Sequence, residues 1–241
     1  MLLTIDAGNS FVKWGYHDGR AWLSHERANL TAFCTDPLQY LERYPTRVVV
    51  SNVAGIIFQD ALMRALPNID LCWAKAEAQA CGVSNHYDKP AQLGSDRWAA
   101  LIAARAITSA PCLVVSIGTA LTVDMLAENG AFLGGLIAPG PQLMREALAH
   151  GTDAIQPPDG NFVPFPSNTA DAVQTGVIYA LLGTIEQAAA AFEAKQGAGA
   201  ACILTGGAAN LITPYLNRPY QLVDNLVLEG LLVMAKEEKP S

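Results

Sequence analysis

Two stretches of this chain, one at its start and one near its middle, carry the same local pattern, and that repeat limits the fold more than any other feature. The first 23 residues read as strand, turn, strand, turn, strand: Leu2–Asp6 is apolar, Ala7-Gly8-Asn9-Ser10 is a turn, Phe11–His17 is strand-like, and Asp18-Gly19 is a hairpin signal. The second stretch opens in the same way. Cys112–Ile117 is an apolar run, Gly118-Thr119-Ala120 a turn, Leu121–Ala127 a strand, Asn129-Gly130 a hairpin signal and Ala131–Ala138 a third strand. Ile5-Asp6-Ala7-Gly8-Asn9-Ser10 lines up with Val115-Ser116-Ile117-Gly118-Thr119-Ala120. A period near half the chain reads as an internal duplication, with a chance match of two short hairpins as the alternative.

The remaining pattern fills in two α/β halves. Arg47–Asn52 looks like a buried strand, Ile57–Leu66 a helix and Leu71–Ala74 another strand. Residues 75–94 are irregular and polar, and Ser95–Ala106 is an Ala-rich helix that closes the first half. Gly151–Ser167 is a Pro-rich loop. Asn168 caps a helix running to about Lys195, with Asp171 in its first turn and an apolar stripe from Ala170 through Val177, Leu181 and Ile185 to Phe192. Gly197-Ala198-Gly199 breaks the chain, Ala201–Thr205 is a strand entering Gly206-Gly207, Ala208–Tyr215 begins a helix, and Leu226–Lys236 is the last one. Hairpins followed by strand–helix alternation predict mixed sheets in two domains, 1–110 and 111–241.

Composition excludes several classes. Hydrophobic residues make up 51% and charged ones 15%, the reverse of a disordered chain. No apolar run reaches the roughly 20 residues of a membrane span, and the N-terminus reads as a strand instead of a signal peptide. The net charge is -7 with Lys and Arg unclustered, which argues against a nucleic-acid partner. Backbone N–H groups can still hold a small anion. The five cysteines are odd in number and form no CxxC, so neither a disulfide framework nor a zinc site is expected, and a reduced, cytoplasmic setting fits. The four histidines suggest no metal spacing, no G-x-S-x-G elbow is present, and Trp14, Trp22, Trp73 and Trp98 read as core.

Four short segments can carry chemistry. Asp6-Ala7-Gly8-Asn9-Ser10 ends a strand in a carboxylate and enters a Gly turn, where backbone N–H groups can approach phosphate. Asp6 itself would repel phosphate, so its natural role is to hold Mg²⁺, directly or through water; an ordinary hairpin turn is the alternative. Lys13 on the next strand can reach a phosphate or simply be solvated. Gly118 and Thr119 form the matching turn, and two such turns would grip a polyphosphate from both sides. Gly206-Gly207 leaves room for a flat base or ribose against the backbone, or is a plain strand–helix connection. Gly94-Ser95-Asp96-Arg97 opens a helix with a carboxylate suited to act as general base, or with a first-turn Asp that complements the helix dipole.

Taken together, these segments resemble the actin/Hsp70/sugar-kinase superfamily and, within it, type III pantothenate kinase. The resemblance rests on DAGNS at 6–10, GSDR at 94–97, GTALTVD at 118–124, GGLIAPG at 134–140, NTADAV at 168–173 and TGGAA at 205–209, in that order over nearly the whole chain. It implies two similar ribonuclease-H-like (actin-like ATPase) domains with ATP in the cleft between them. It also implies ATP-dependent phosphorylation of pantothenate to 4′-phosphopantothenate, the first step of coenzyme A synthesis. Asp6, Ala7, Gly8, Asn9, Ser10 and Lys13 match the first phosphate motif, Gly118 and Thr119 the second, and Gly206-Gly207 the adenosine side. Gly94, Ser95, Asp96 and Arg97 match the pantothenate motif, with Asp96 as proton acceptor and Arg97 orienting the substrate. Tyr87 and Thr169 match further substrate contacts. The family works as a homodimer, so Thr169 is expected to serve the partner's site. Where the family commonly has an Asp tied to a monovalent cation, K⁺ or NH₄⁺, this chain has Ser116, and a hydroxyl lacks the charge to hold that ion well. The rival readings are a sugar kinase of the same superfamily and a non-catalytic, ATP-switched regulator.

Overall fold

Leu2–Ala7 is apolar at almost every position because both faces of the strand it forms are covered. This strand, β1, is the middle of a five-stranded sheet in a computed structural model that describes residues 1–151, 159–197 and 199–237. Thr152–Pro158 of the expected Pro-rich loop and Ala198 of the expected break lie outside the described residues. The chain divides into two compact units. The first is Met1–Ser109 with Asn129–Phe132 and a C-terminal stretch beginning at Asn225; the second is Ala110–Glu128 with Leu133–Asp224.

In the first unit β2 (Phe11–His17) runs antiparallel to β1, and β3 (Trp22–Asn29) antiparallel to β2. β3 therefore continues past residue 23. Its polar run of Ser24, His25, Glu26 and Arg27, exposed from His25 on, hides the strand from a hydrophobic pattern. After the short helix α1 (Leu30–Thr35), β4 (Arg47–Asn52) pairs parallel to β1, and α2 (Ile56–Ala65) leads to β5 (Leu71–Trp73), parallel to β4. The sheet order is β3-β2-β1-β4-β5. One face packs on Phe33 of α1 and Phe58 and Leu62 of α2. The other face receives α3 (Ser95–Ile107) and α6 (Leu226–Glu237), the last helix of the chain. Gly230 of α6 lies so close to the backbone of Ala99 in α3 that a methyl group would overlap its carbonyl. The polar stretch 75–94 is not wholly irregular: it forms a hairpin of β6 (Gln79–Ala80) and β7 (Val83–Asn85), and a 3₁₀ turn at Pro90–Gln92. Trp14 and Trp98 are buried as expected, whereas Trp22 and Trp73 are only half-buried.

The second unit repeats the plan. β8 (Cys112–Ile117) pairs antiparallel to β9 (Ala120–Leu126), which neighbours β10 (Ala131–Pro139). On its other side β8 lies parallel to β11 (Ala201–Thr205), and β11 parallel to β12 (Tyr220–Leu222). The order β10-β9-β8-β11-β12 matches β3-β2-β1-β4-β5 strand for strand, so the duplication read from two turns extends to the whole sheet. Only the first residues of β10, Ala131 and Phe132, belong to the first unit, where they pair with β7.

Two helices lie between β10 and β11. α4 (Pro141–Gly151) follows Pro139-Gly140, and proline at its first helical position is compatible with starting a helix. α5 (Thr169–Gln196) is capped by Asn168, whose side chain accepts the Asp171 N–H at 2.9 Å, and is closed by Gly197 at φ 71°. By length and composition alone α5 could cross a membrane, but Val177, Leu181, Ile185 and Phe192 pack into the core of the second unit. The expected helix over Ala208–Tyr215 is instead two 3₁₀ turns, Ala209–Leu211 and Thr213–Tyr215. None of the five cysteines forms a disulfide.

Candidate active site

The first unit gathers five polar side chains at the end of β1. Strand register sets Asp6 beside Lys13 on β2 and beside Ser51 on β4, and residues opposite one another in a ladder share a face. Ser51 is fully buried, and its Oγ lies 2.9 Å from the Oγ of Ser95, the first residue of α3. Asp96 follows, and its Oδ1 accepts the Arg97 N–H at 2.8 Å. Burial first, and then the neighbouring charge of Asp96, push the Asp6 carboxyl up to about 7, against the opposing pull of Lys13. The Asp6 Oδ1 is a buried oxygen with no hydrogen-bond partner. Such an atom normally has one, so an added cation or water would satisfy it.

Around this group the backbone is tightly turned. Gly8 donates to the Phe11 carbonyl at 3.0 Å and closes the turn that carries Asn9 and Ser10. Ala7 accepts from Val53, and the Asn52 side chain closes the next turn through Ala54 and Gly55. Gly94 is the N-cap of α3 and supplies no side-chain cap. Arg97 is buried, donates to the Tyr87 hydroxyl at 3.1 Å, and lies over the rings of Tyr87 and Phe132 at 5.8 and 5.9 Å.

The second unit brings its own motifs together. Ser116 stands opposite Thr122 on β9 and Thr205 on β11, a row of three hydroxyls across the sheet. Gly206, at φ 100°, lies against the backbone of Ile117, and Ala208 donates to the Ile117 carbonyl at 3.0 Å. Gly140 donates to the Thr119 carbonyl at 2.9 Å, with no space for a methyl group between it and Gly118. Gly118 and Gly207 face open space. A ligand can therefore come close to their Cα atoms, while the Gly118 N–H is already given to the Ala120 carbonyl at 2.9 Å. Thr169 is exposed at the first position of α5 and lines an apolar cavity of about 560 Å³ with Met144, Leu148 and Val173.

A family model described as type III pantothenate kinase matches residues 2–191. The chain belongs to the type III pantothenate kinase family. Proteins named type III pantothenate kinase from Nitrosospira multiformis and Aromatoleum aromaticum are 44% and 46% identical to it. The alignments cover 98% of this chain and 92% of the first relative, and 99% of both chains for the second. Three solved structures share its fold. One, described as a Baf-family transcriptional activator from Campylobacter jejuni, has a TM-score of 0.65 at 22% identity and covers 98% of both chains. Another, described as a 2-dehydro-3-deoxygalactonokinase from Sinorhizobium meliloti, scores 0.60 at 16% identity and covers 100% of both. The (R)-2-hydroxyglutaryl-CoA dehydratase component A from Acidaminococcus fermentans scores 0.53 at 11% identity, over 96% of this chain and 95% of the other. The fold is thus the pair of similar ribonuclease-H-like, actin-like ATPase domains that the resemblance implies.

Some residues gathered in this candidate site escape a reading of sequence. Ser51 ends an apolar strand and looks incidental until β4 is paired with β1. Phe132 is one apolar residue in a strand until Arg97 is seen over its ring. Gly140 was visible as part of GGLIAPG, but its contact with Gly118 needed the fold. Among the described residues no cluster of three or more His, Cys, Asp or Glu forms a protein-only metal site. A magnesium ion held largely by substrate phosphates and water needs no such cluster.

Proposed function

We propose that this chain transfers the γ-phosphoryl group of ATP to the primary hydroxyl of pantothenate, giving 4′-phosphopantothenate, the first step of coenzyme A synthesis. The observation that carries the reading is the family match over residues 2–191. The first unit supplies groups suited to that chemistry. Asp96 accepts the hydroxyl proton as the oxygen attacks phosphorus, and the Ser95 hydroxyl and Arg97, with Tyr87, orient the alcohol. Lys13 and the Ala7–Ser10 turn face phosphate, and Asp6 holds Mg²⁺ directly or through water. The buried, unpartnered Oδ1 of Asp6 fits a hard cation. Bound Mg²⁺ would offset phosphate charge during transfer. In the second unit the turn at Gly118 and Thr119, left open by the absence of a side chain on Gly118, takes phosphate, and Gly206-Gly207 takes the adenosine.

The working form is a homodimer in which Thr169 reaches the partner's pantothenate. Exposed apolar side chains in the second unit, Ile137 at 66% and Phe165 at 92% among them, support an interface there. Ser116 leaves a monovalent cation, K⁺ or NH₄⁺, to hydroxyls, carbonyls and phosphate, so its binding is weak. The acidic chain suits neither nucleic acid nor an anionic membrane surface, and five cysteines without a disulfide suit the cytoplasm. A coupled ADP-release assay with pantothenate and a panel of sugars tests the reading. Turnover with pantothenate alone is expected. Turnover with a sugar instead would identify a sugar kinase, and no turnover with any acceptor would favour a nucleotide-switched regulator.

A further inference from the structure

We propose that Ser51 is a positioning residue of the phosphoryl-transfer site: its hydroxyl, bonded to that of Ser95, holds the first turn of α3, and with it Asp96, at a set distance from the Asp6 end of β1. The proposal rests on the reading of Asp96 as general base. A fully buried hydroxyl in a strand covered on both faces needs a partner, and Ser51 finds it in Ser95 Oγ at 2.9 Å. The bond spans 44 residues of sequence and joins β4 to the residue just before Asp96. Because Gly94 supplies no side-chain cap, the N-terminus of α3 is not tied down by its own N-cap residue. Ser51 is also the ladder partner of Asp6, and adjacent strands lie about 4.8 Å apart. A continuous path therefore runs from Asp6 through Ser51 and Ser95 to Asp96. On the far side of Asp96, Arg97 is held by Tyr87, so the candidate base is fastened at both neighbours. Displacement of a catalytic group by about 1 Å can cost up to about 10²-fold in rate. Either hydroxyl can donate, and no proton transfer through the pair is required.

The test compares Ser51→Ala, Ser95→Ala and the double variant by steady-state kinetics and thermal melting. Ser51→Ala should lower kcat about tenfold and leave KM for ATP unchanged. Its Tm should fall by no more than about 5 °C, the scale of one lost hydrogen bond in a chain of this size. In the Ser95→Ala background the same substitution should change kcat by less than about twofold, because the bond it would break is already gone. An unchanged kcat for Ser51→Ala, or an equal loss in both backgrounds, overturns the proposal. If Ser51→Ala does not fold, Ser51→Cys, of similar volume and with a weak donor, is read by the same two ratios. Failure of the base reading is separate: Asp96→Asn would then keep its kcat, whatever Ser51→Ala does.

Discussion

A carboxylate that takes a proton must be held in one place, and Gly94 leaves the space in which Asp96 sits. A methyl group on Gly94 would lie 2.5 Å from Asp96 Oδ1 and would push the carboxylate aside while leaving the helix backbone free to form. Asp96→Asn is expected to cut kcat by about 10²–10⁴-fold with the fold intact. Gly94→Ala should cut it by about tenfold or more with little change in Tm. Near-normal kcat in Asp96→Asn would reduce Asp96 to a helix-start residue. Asp6 makes a different prediction. Its folded carboxyl titrates near 7, and an unfolded Asp near 3.9. Between those values the folded chain binds more protons, so stability falls as pH rises, and the penalty is complete above about pH 7. In metal-free buffer, Asp6→Asn should therefore melt several degrees above the parent at about pH 8, with the gap closing by about pH 4. A gap independent of pH would mean that the Asp6 charge is not its source.

At the scale of elements, two adjacent glycines divide the work of one turn. Gly206 has φ 100° and lies against Ile117, so Gly206→Ala should cost about 2–4 kcal/mol of stability. Gly207 faces open space, so Gly207→Ala should leave Tm nearly unchanged and raise KM for ATP. Chemical denaturation and ATP titration of the two variants give the comparison, and equal melting losses would refute the division. Across β9, β8 and β11 the row Thr122, Ser116, Thr205 offers hydroxyls where a cation would prefer a carboxylate. Activity should depend only weakly on K⁺, and Ser116→Asp should strengthen the dependence. KCl titrated against choline chloride at fixed ionic strength measures both. An unmodified enzyme that is dead without K⁺ would show that the remaining ligands suffice.

At the scale of the molecule, the last helix is the chain's clearest departure from sequence order. α6 packs on α3 and on the outer face of β1 and β4, so the first unit is finished only when the C-terminal segment has been made. The homodimer reading has its own test. If Thr169 serves the partner's site, Asp96→Asn and Thr169→Ala chains, each poorly active, should regain activity when their subunits are exchanged. Proven exchange without rescue would show that each site is built from one chain.

What the sequence determined by itself is local. The apolar runs of β1 and β8, the hairpin glycines, the Asn168 cap with its stripe along α5, and the six short motifs are all set by neighbours within a few residues, and all were legible. Asp6, Lys13, Ser95 and Asp96 could be named as candidates for the same reason. What only the tertiary structure decided is whatever depends on pairing across long separations. The exposed end of β3, the weak strands β6, β7 and β12, and α4 behind its Pro-Gly-Pro carry too little pattern of their own and are held by the elements they contact. Ser51 becomes part of the site only because β4 lies beside β1, and Phe132 only because β7 brings it under Arg97. A side chain's type is written in the chain, but its partner is selected by the free energy of the whole packed fold.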